Sequence, residues 1–281
     1  MKEYATKLPP MRKGYDHKII LKDPKGPIPQ PQASRMGSLQ SIIMRKEIKR
    51  LLDEGKIRKS TSPYSAPAFI VGKDKPRLVI DYKRLNDLTI SNAISLPHVD
   101  DLLTKITKGR IFSKIDLKAG FHQLRVKEED IEKTGFSSPF GHFEWVVTPF
   151  GEKNSPASFV QMLNQLVFPE ILDQFIIVFV DDILVFSKDI EEHYNHLKIV
   201  FDLLNKHSLI INTEKSTWGT TEVDYLGFHI SGGVSTPELL IQENRTKAIK
   251  EWPSPVNIKQ LRRFLGFCNF SRRFIKKTLR L

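Results

Sequence analysis

Two adjacent carboxylates, Asp181 and Asp182, interrupt "FIIVFVDDILVF" (175–186), a run that is otherwise apolar. Burying one unpaired carboxylate is costly, and burying two neighbours adds mutual repulsion. Successive strand residues face opposite sides of a sheet, but a tight turn relaxes that rule. The run therefore reads as a strand, a two-residue turn at Asp181-Asp182 and a second strand, with both carboxylates addressing a cleft. Flanks with no polar face predict a central, covered hairpin that holds the turn rigidly. A surface Asp-Asp turn is the weaker reading, because such hairpins prefer Asn-Gly or Asp-Gly. Two fixed anions make sense beside a divalent cation. Hard oxygen ligands with no nearby histidine pair favour Mg²⁺ or Mn²⁺ over zinc. Asp116, closing "FSKID" where another strand enters a turn, supplies a third carboxylate. Three on adjacent strand ends are what a two-metal phosphoryl-transfer site requires.

The chain has 281 residues, enough for one large domain or two or three subdomains. With 44 Lys+Arg against 32 Asp+Glu, its net charge of +12 favours a polyanionic partner. That charge is uneven. From Arg245 to Leu281 there are eleven basic residues and one acid, Glu251, so this segment carries +10. If 259–277 is helical, Arg262, Arg263, Arg273, Lys276 and Lys277 fall within roughly 140° of one face, which suits a nucleic-acid backbone. The alternative is a solvated basic face. The single cysteine, Cys268, excludes an internal disulfide framework and a cysteine-rich zinc site, and reads as a small buried thiol. "MKEYATKLPP" has no apolar core for a signal peptide, and no stretch approaches the roughly 20 apolar residues of a membrane span. The expectation is a soluble intracellular protein.

Pro24, Pro27, Pro29 and Pro31 predict an extended basic segment over 1–37, running over a surface rather than forming core. Ser38 is the expected cap of a helix ending at Gly55. A hairpin is expected over 68–72 and 77–82, a helix over 97–108 and strands over 110–117 and 142–148. "FHQLRV" (121–126) reads as extended or turn-like. "NSPASFVQMLNQLV" reads as a helix capped at Asn154 or Ser155, and another helix is expected over 190–208. A strand pair follows around "YLGFHI" and "GGV". His193 and His196 lie three apart, a spacing that permits joint metal binding, but beside Glu191 and Glu192 they read as part of a solvated helix. The stripe Phe264, Phe267, Phe270 and Phe274 reads as core of the terminal subdomain. Irregular alternation of helices with hairpins predicts an α+β fold.

"FVDD" resembles the Tyr-x-Asp-Asp box of reverse transcriptases. "RLVIDYKRLN", "SKIDLKAGFHQLRV", "SPFGHFEWVVTPFG", "EKSTWGTTEVDYLGF" and "LRRFLGFCNFSRRFI" follow that family in order. Together they resemble the enzymes of gypsy-type LTR retrotransposons and related plant pararetroviruses, from about Leu8 to Ile275. The resemblance implies a right-hand polymerase fold. Its fingers would be the residues to about 110 with 124–154. Its palm would be 111–123 and 155–230, with an antiparallel sheet carrying the aspartates, and its thumb roughly 232–281. It implies RNA-directed DNA polymerisation, also on DNA templates, by two-metal nucleotidyl transfer.

The implied roles are these. Asp116, Asp181 and Asp182, with Leu117 beside them, would hold two Mg²⁺ ions, for which Mn²⁺ can substitute. Main-chain amides from Leu117 through Lys118, Ala119 and Gly120 would meet the β- and γ-phosphates. Arg77 and, more weakly, Lys73 would bind the triphosphate, the hairpin around Lys73 being one residue short of the family pattern. Phe121 would lie beneath the sugar and exclude ribonucleotides, while Phe150 and Gly151 would pack on nucleotide and template. Lys215 matches a proposed proton donor to pyrophosphate. Tyr225, Leu226 and Gly227 resemble the primer grip, Gly227 allowing close backbone approach. Arg262, Arg263, Arg272, Arg273, Lys276 and Lys277 are the backbone-contact candidates.

Phe179 replaces the usual tyrosine, which leaves the ligands unchanged. Glu152-Lys153 stands where gypsy elements commonly carry Leu-Thr, which bears on template-side contacts. The family's connection and ribonuclease H regions are absent from these residues, as are protease and integrase, so the resemblance implies a fragment of a polyprotein, a truncated open reading frame or a piece trimmed to the polymerase. The implied partners are a primed RNA or DNA template and dNTPs, with no membrane, and the implied place is a cytoplasmic virus-like particle. One rival reading is a catalytically inactive relic that binds nucleic acid or protein. Another is an RNA-templated RNA polymerase, against which the bulk of Phe121 argues.

Overall fold

A computed structural model describes residues 8–28, 37–72, 74–92, 99–106, 109–232 and 238–269. Lys73, Arg272, Arg273, Lys276 and Lys277 lie outside them, as do Phe270 and Phe274. In chain order the elements begin α1 (Ser38–Asp53), β1 (Ile57–Lys59), β2 (Ala66–Val71), β3 (Arg77–Ile80), α2 (Lys83–Leu88), α3 (Val99–Ile106) and β4 (Ile111–Asp116). Then come α4 (Glu128–Ile131), β5 (Phe136–Ser138), β6 (Gly141–Trp145), α5 (Ser155–Met162), β7 (Ile176–Phe179), β8 (Asp182–Ser187) and α6 (Ile190–Lys206). The chain continues through β9 (Thr217–Thr220), β10 (Glu222–Tyr225), β11 (Phe228–Ser231), β12 (Glu238–Ile241), α7 (Glu243–Lys250) and α8 (Ile258–Asn269). Helices and hairpins thus mix as the α+β expectation has it.

The strands form three sheets, ordered β1-β6-β5-β2-β3, β7-β8-β4-β9 and β10-β11-β12. The second is antiparallel throughout, and the period-2 rule buries both of its faces. Ile115, Ile176, Val178, Ile183 and Val185 pack with Phe159, Met162 and Leu163 and with Val200 and Leu204 of α6. Phe112, Ile177, Leu184 and Phe186 pack with Leu102, Ile106, Tyr225 and Phe228. Helices therefore cover one side, and α3 with the β10–β11 hairpin covers the other. That double cover is what an apolar run without a polar face demands. The β7–β8 hairpin is covered on both faces, as expected, but it is not central: β8 lies inside the sheet, between β7 and β4, while β7 forms the sheet's edge.

Several local expectations are corrected. Gly37, not Ser38, caps α1, its N–H donating to Gln40 Oε1 at 3.3 Å. Of the two forms left open for "FHQLRV", the turn-like one holds at its start, where Gly120–Gln123 form one 3₁₀ turn. The "GGV" half of the expected strand pair falls mostly outside the described residues; within them β11 pairs with β10 across a turn at Leu226-Gly227, and with β12 on its other side. The proline-rich start does more than skirt a surface, because Arg12, His17, Ile19 and Leu21 are buried. His193 is buried rather than solvated. Its Nε2 meets Ser113 Oγ at 2.7 Å and its Nδ1 meets Ser187 Oγ at 2.8 Å, while His196 stacks on Phe175. These contacts satisfy both rings, so the pair is a polar clasp between α6 and the second sheet. Phe264 and Phe267 lie against Trp252, and Cys268 is half-buried. Among the described residues no helix is long and apolar enough to cross a membrane.

Candidate active site

Asp116 and Asp182 are direct cross-strand partners at one end of β4–β8. The turn beside them is Val180-Asp181, since Phe179 pairs with Asp182. The expected Asp181-Asp182 turn is thus shifted by one residue, because the β4–β8 register draws Asp182 into the strand and Ile183 into the core. The shift forces Val180 to φ +58, a left-handed conformation costly for a β-branched residue. Strain of that kind persists only where the surroundings impose it. The doubly covered hairpin does so here.

The Asp181 carboxyl is pushed above its ordinary range, first by burial and then by repulsion from Asp182 and Asp116. Lys114 Nζ lies 3.1 Å from Asp182 Oδ1 and offsets part of that repulsion. Main-chain bonds hold Asp116: its N–H donates to Ser216 Oγ at 3.0 Å and its carbonyl accepts from Asn212 N–H at 2.8 Å. Among the described residues no three His, Cys, Asp or Glu side chains close into a metal cage. The three aspartates nevertheless offer an all-oxygen donor set whose members repel one another. That chemistry fits a hard divalent cation.

Lys118 N–H donates to Ile210 O at 2.9 Å, so this amide is committed within the fold and the expected phosphate contact there is corrected. Ala119 follows at φ +49, and Gly120 and Phe121 open the 3₁₀ turn. Amides at the start of a helical turn have no intrahelical acceptor, so those two remain suited to an anion. A Cβ on Gly120 would stand 3.6 Å from Asp181 Cβ, which puts this turn against the carboxylates. The Phe121 ring lies 5.1 Å from that of Phe150 and 5.6 Å, edge-on, from that of Phe159. Phe150 is 53% exposed, and Gly151 next to it takes φ +92. Structure therefore gathers Asp116, Asp181, Gly120, Phe121 and Phe150 at one place.

Arg77 stands exposed at the start of β3, an edge strand of the first sheet. Lys215 is exposed one residue from Ser216, the group that holds Asp116. Tyr225 is buried, and its hydroxyl donates to Asp182 O at 3.3 Å, tying the β10–β11 hairpin to the carboxylate strand. Leu226 and Gly227 take φ +51 and +81, the mirror-image turn that suits such hairpins. A Cβ on Gly227 would come within 2.9 Å of the Arg245 guanidinium, so a close approach to this glycine is made by the protein itself. Arg262 and Arg263 are exposed on α8. Sequence reasoning missed Lys114, Ser216 and His17. Only Lys114 left a trace, as a cation two residues before Asp116 in a strand.

The profile of the family described as reverse transcriptase (RNA-dependent DNA polymerase) matches residues 57–230. The chain is 38% identical over 246 residues to the retrovirus-related Pol polyprotein from transposon opus of Drosophila melanogaster, covering 84% of this chain and 24% of that one. It is 37% identical over 280 residues to the transposon Tf2-3 polyprotein of Schizosaccharomyces pombe, covering 99% and 20%. The chain thus spans about a quarter or less of the length of these relatives. Among solved structures, foamy viral protease-reverse transcriptase dRH in complex with double-stranded DNA superposes with a TM-score of 0.78 at 28% identity, over 90% of this chain and 45% of that one. The foamy viral protease-reverse transcriptase in complex with an RNA/DNA hybrid gives 0.75 at 28% identity, over 90% and 35%. Paired aspartates on a covered antiparallel hairpin, a third aspartate opposite and these likenesses agree: the chain belongs to the reverse transcriptase (RNA-dependent DNA polymerase) family.

Proposed function

We propose that this chain extends a primer 3′-hydroxyl with dNTPs, copying RNA and also DNA templates. The observation that carries the reading is Asp116 opposite Asp182, with Asp181 at the adjoining turn, in a chain of this family. Asp116, Asp181 and Asp182, with Leu117 adjacent, would hold Mg²⁺. Two such ions would supply Lewis-acid activation of the 3′-hydroxyl and charge neutralisation of the triphosphate.

The chain's own groups do the positioning. Lys114 sets a fixed positive charge beside Asp182. Gly120 and Phe121 turn their amides toward the phosphates, and Ala119 at φ +49 makes that turn possible. Phe121 and Phe150 form an aromatic seat for the sugar and base. Arg77 closes over the triphosphate from the first sheet. Lys215, exposed near Asp116, returns a proton to pyrophosphate. The Tyr225–Gly227 turn presents the primer terminus. In this reading the first sheet is the fingers, the second sheet the palm, and α7–α8 the thumb, whose Arg262 and Arg263 meet the nucleic-acid backbone. The relatives are polyproteins, so protease, ribonuclease H and integrase neighbours, and assembly in a cytoplasmic particle, belong to the same proposal.

Primer extension tests it. Asp116→Asn or Asp181→Asn is expected to cut extension by more than about 10³-fold, the loss typical of one electrostatic stabiliser, and to leave primer–template binding largely intact. Extension at more than about a tenth of the wild-type rate would remove these residues from the reaction.

A further inference from the structure

The stretch matched by the family profile begins at residue 57, yet residues 12–21 are built into the body of the protein. His17 N–H donates to Arg125 O at 2.8 Å, and Lys127 N–H donates to His17 O at 2.9 Å. Arg12 reaches further in, its Nη1 donating to Gln123 O and its Nη2 to His207 O, both at 2.7 Å. The His17 side chain is fully buried. Its Nδ1 lies 2.9 Å from Ser158 Oγ on α5, and its Nε2 lies 3.1 Å from Glu152 Oε2. The Glu152 side chain is fully buried too.

Glu152 sits inside the loop that presents Phe150 and Gly151. Its Oε2 also accepts from Asn154 N–H at 2.8 Å and from the Ser155 hydroxyl at 3.3 Å. Among the described residues neither Glu152 Oε1 nor His17 Nε2 makes a hydrogen bond, although Nε2 lies 3.1 Å from Oε2. His17 is thus the side chain packed closest against an incompletely satisfied buried carboxylate. On the outer side, Asn86 Nδ2 donates to Gly151 O at 2.8 Å and Lys153 N–H donates to Asn86 Oδ1 at 2.9 Å. The loop is therefore held from two sides, by Asn86 outside and by His17 within.

We propose that His17 is a positioning residue for nucleotide binding: by holding Glu152 inside, it seats Phe150 and Gly151 against Phe121. The inference rests on the reading of Phe150 and Gly151 as nucleotide contacts. Its physical basis is asymmetry. A buried carboxylate that loses its partner must find solvent or rearrange. Glu152 lies in a loop, so rotating this loop outward is the least costly relief. That rotation draws Phe150 off the Phe121 and His122 rings, which it meets at 5.1 and 5.0 Å.

The test compares His17→Leu with the double variant His17→Leu/Glu152→Leu in the full chain. For the single variant, KM for dNTP is expected to rise about tenfold or more, because small misplacements of a positioning group carry such factors. Affinity for primer–template falls by a smaller factor than affinity for dNTP, because the duplex keeps its other contacts. Amide hydrogen exchange at residues 151–155 accelerates, while exchange in β7–β8 does not. The double variant, with no charge left to expel, is expected to restore both readouts toward wild type. His17→Gln, which keeps a donor for the carboxylate, should fall between wild type and His17→Leu, and it carries the test if His17→Leu does not fold. A lowered melting temperature with unchanged dNTP KM and unchanged exchange at 151–155 would overturn the inference and leave the polymerase reading standing. Failure of the wild type to extend primers would sink that reading, whereas the exchange comparison still decides whether His17 seats the loop.

Discussion

Phe121 follows Asp116 by five residues and opens the turn that lies against Asp181. Its ring is fixed between Phe150 and Phe159, so it forms a wall and has little freedom to step aside. Forcing extra atoms against such a wall costs typically about 1–3 kcal/mol, which is roughly tenfold to hundredfold discrimination against a 2′-hydroxyl. Phe121→Val is therefore expected to raise rNTP incorporation and to reduce dNTP use only modestly. Comparing kcat/KM for dCTP and CTP in wild type and variant checks this. Equal losses for both substrates would make Phe121 palm core and nothing more. At the same scale, the aspartates were legible in the sequence because a carboxylate inside an apolar run needs a reason. The identity of the turn residues was not, because Val180 at φ +58 contradicts every local preference of valine. Only the β4–β8 register, a long-range fact, dictates it.

Elements whose periodicity was strong were legible, and the clasps between them were not. Helix α6 announced itself over 190–208, but Glu191 and Glu192 made its start read as solvated. The spacing of His193, Val200 and Leu204 places the three on one face, and all are buried. That stripe was readable, and the acidic neighbours masked it. Burial, then the proximity of His196, pushes His193 down to about 4, with Glu192 opposing. Burial, then Lys56 and Arg50, pushes His122 down to about 3. Both rings are held neutral in the fold but take up protons near 6.5 once unfolded. The unfolded chain thus binds more protons below that point. Their contribution is complete above pH 6.5 and is lost as pH falls toward about 4 and about 3. Each histidine adds a slope of at most about 1.4 kcal/mol per pH unit. Urea unfolding at several pH values between 7.5 and 5 should show stability falling with acidity. His193→Gln, which keeps a hydrogen-bonding side chain and cannot titrate, should flatten that fall; an unaltered slope would place the titration elsewhere.

Across the whole molecule, charge and catalysis are segregated but mechanically joined. The carboxylates occupy the second sheet, and the segment from Arg245 onward holds +10 of the +12. The joint is visible at Gly227, where Arg245 of α7 covers the turn whose Tyr225 bonds to Asp182 O. Deleting the segment from Arg245 onward would therefore disturb the turn as well as remove charge, and would confuse two effects. Neutralising exposed cations on α8 separates them, because Lys259, Arg262 and Arg263 lie away from Gly227 in sequence and take no part in covering it. Each phosphate that a cation neutralises releases condensed counterions, so log K for primer–template falls with log salt by about 0.9 per neutralised phosphate on a duplex. If α8 meets the backbone, Lys259→Gln/Arg262→Gln/Arg263→Gln should make the slope shallower by about 0.9 for each phosphate left unneutralised, up to about 2.7. Affinity should drop most at low salt, where counterion release is most favourable. The melting temperature should hold, since these side chains are exposed and α8 buries none of its residues. Titrating a labelled primer–template at four or five salt concentrations with both proteins measures the two slopes. Parallel lines would mean that Lys259, Arg262 and Arg263 present a solvated basic face and meet no phosphate.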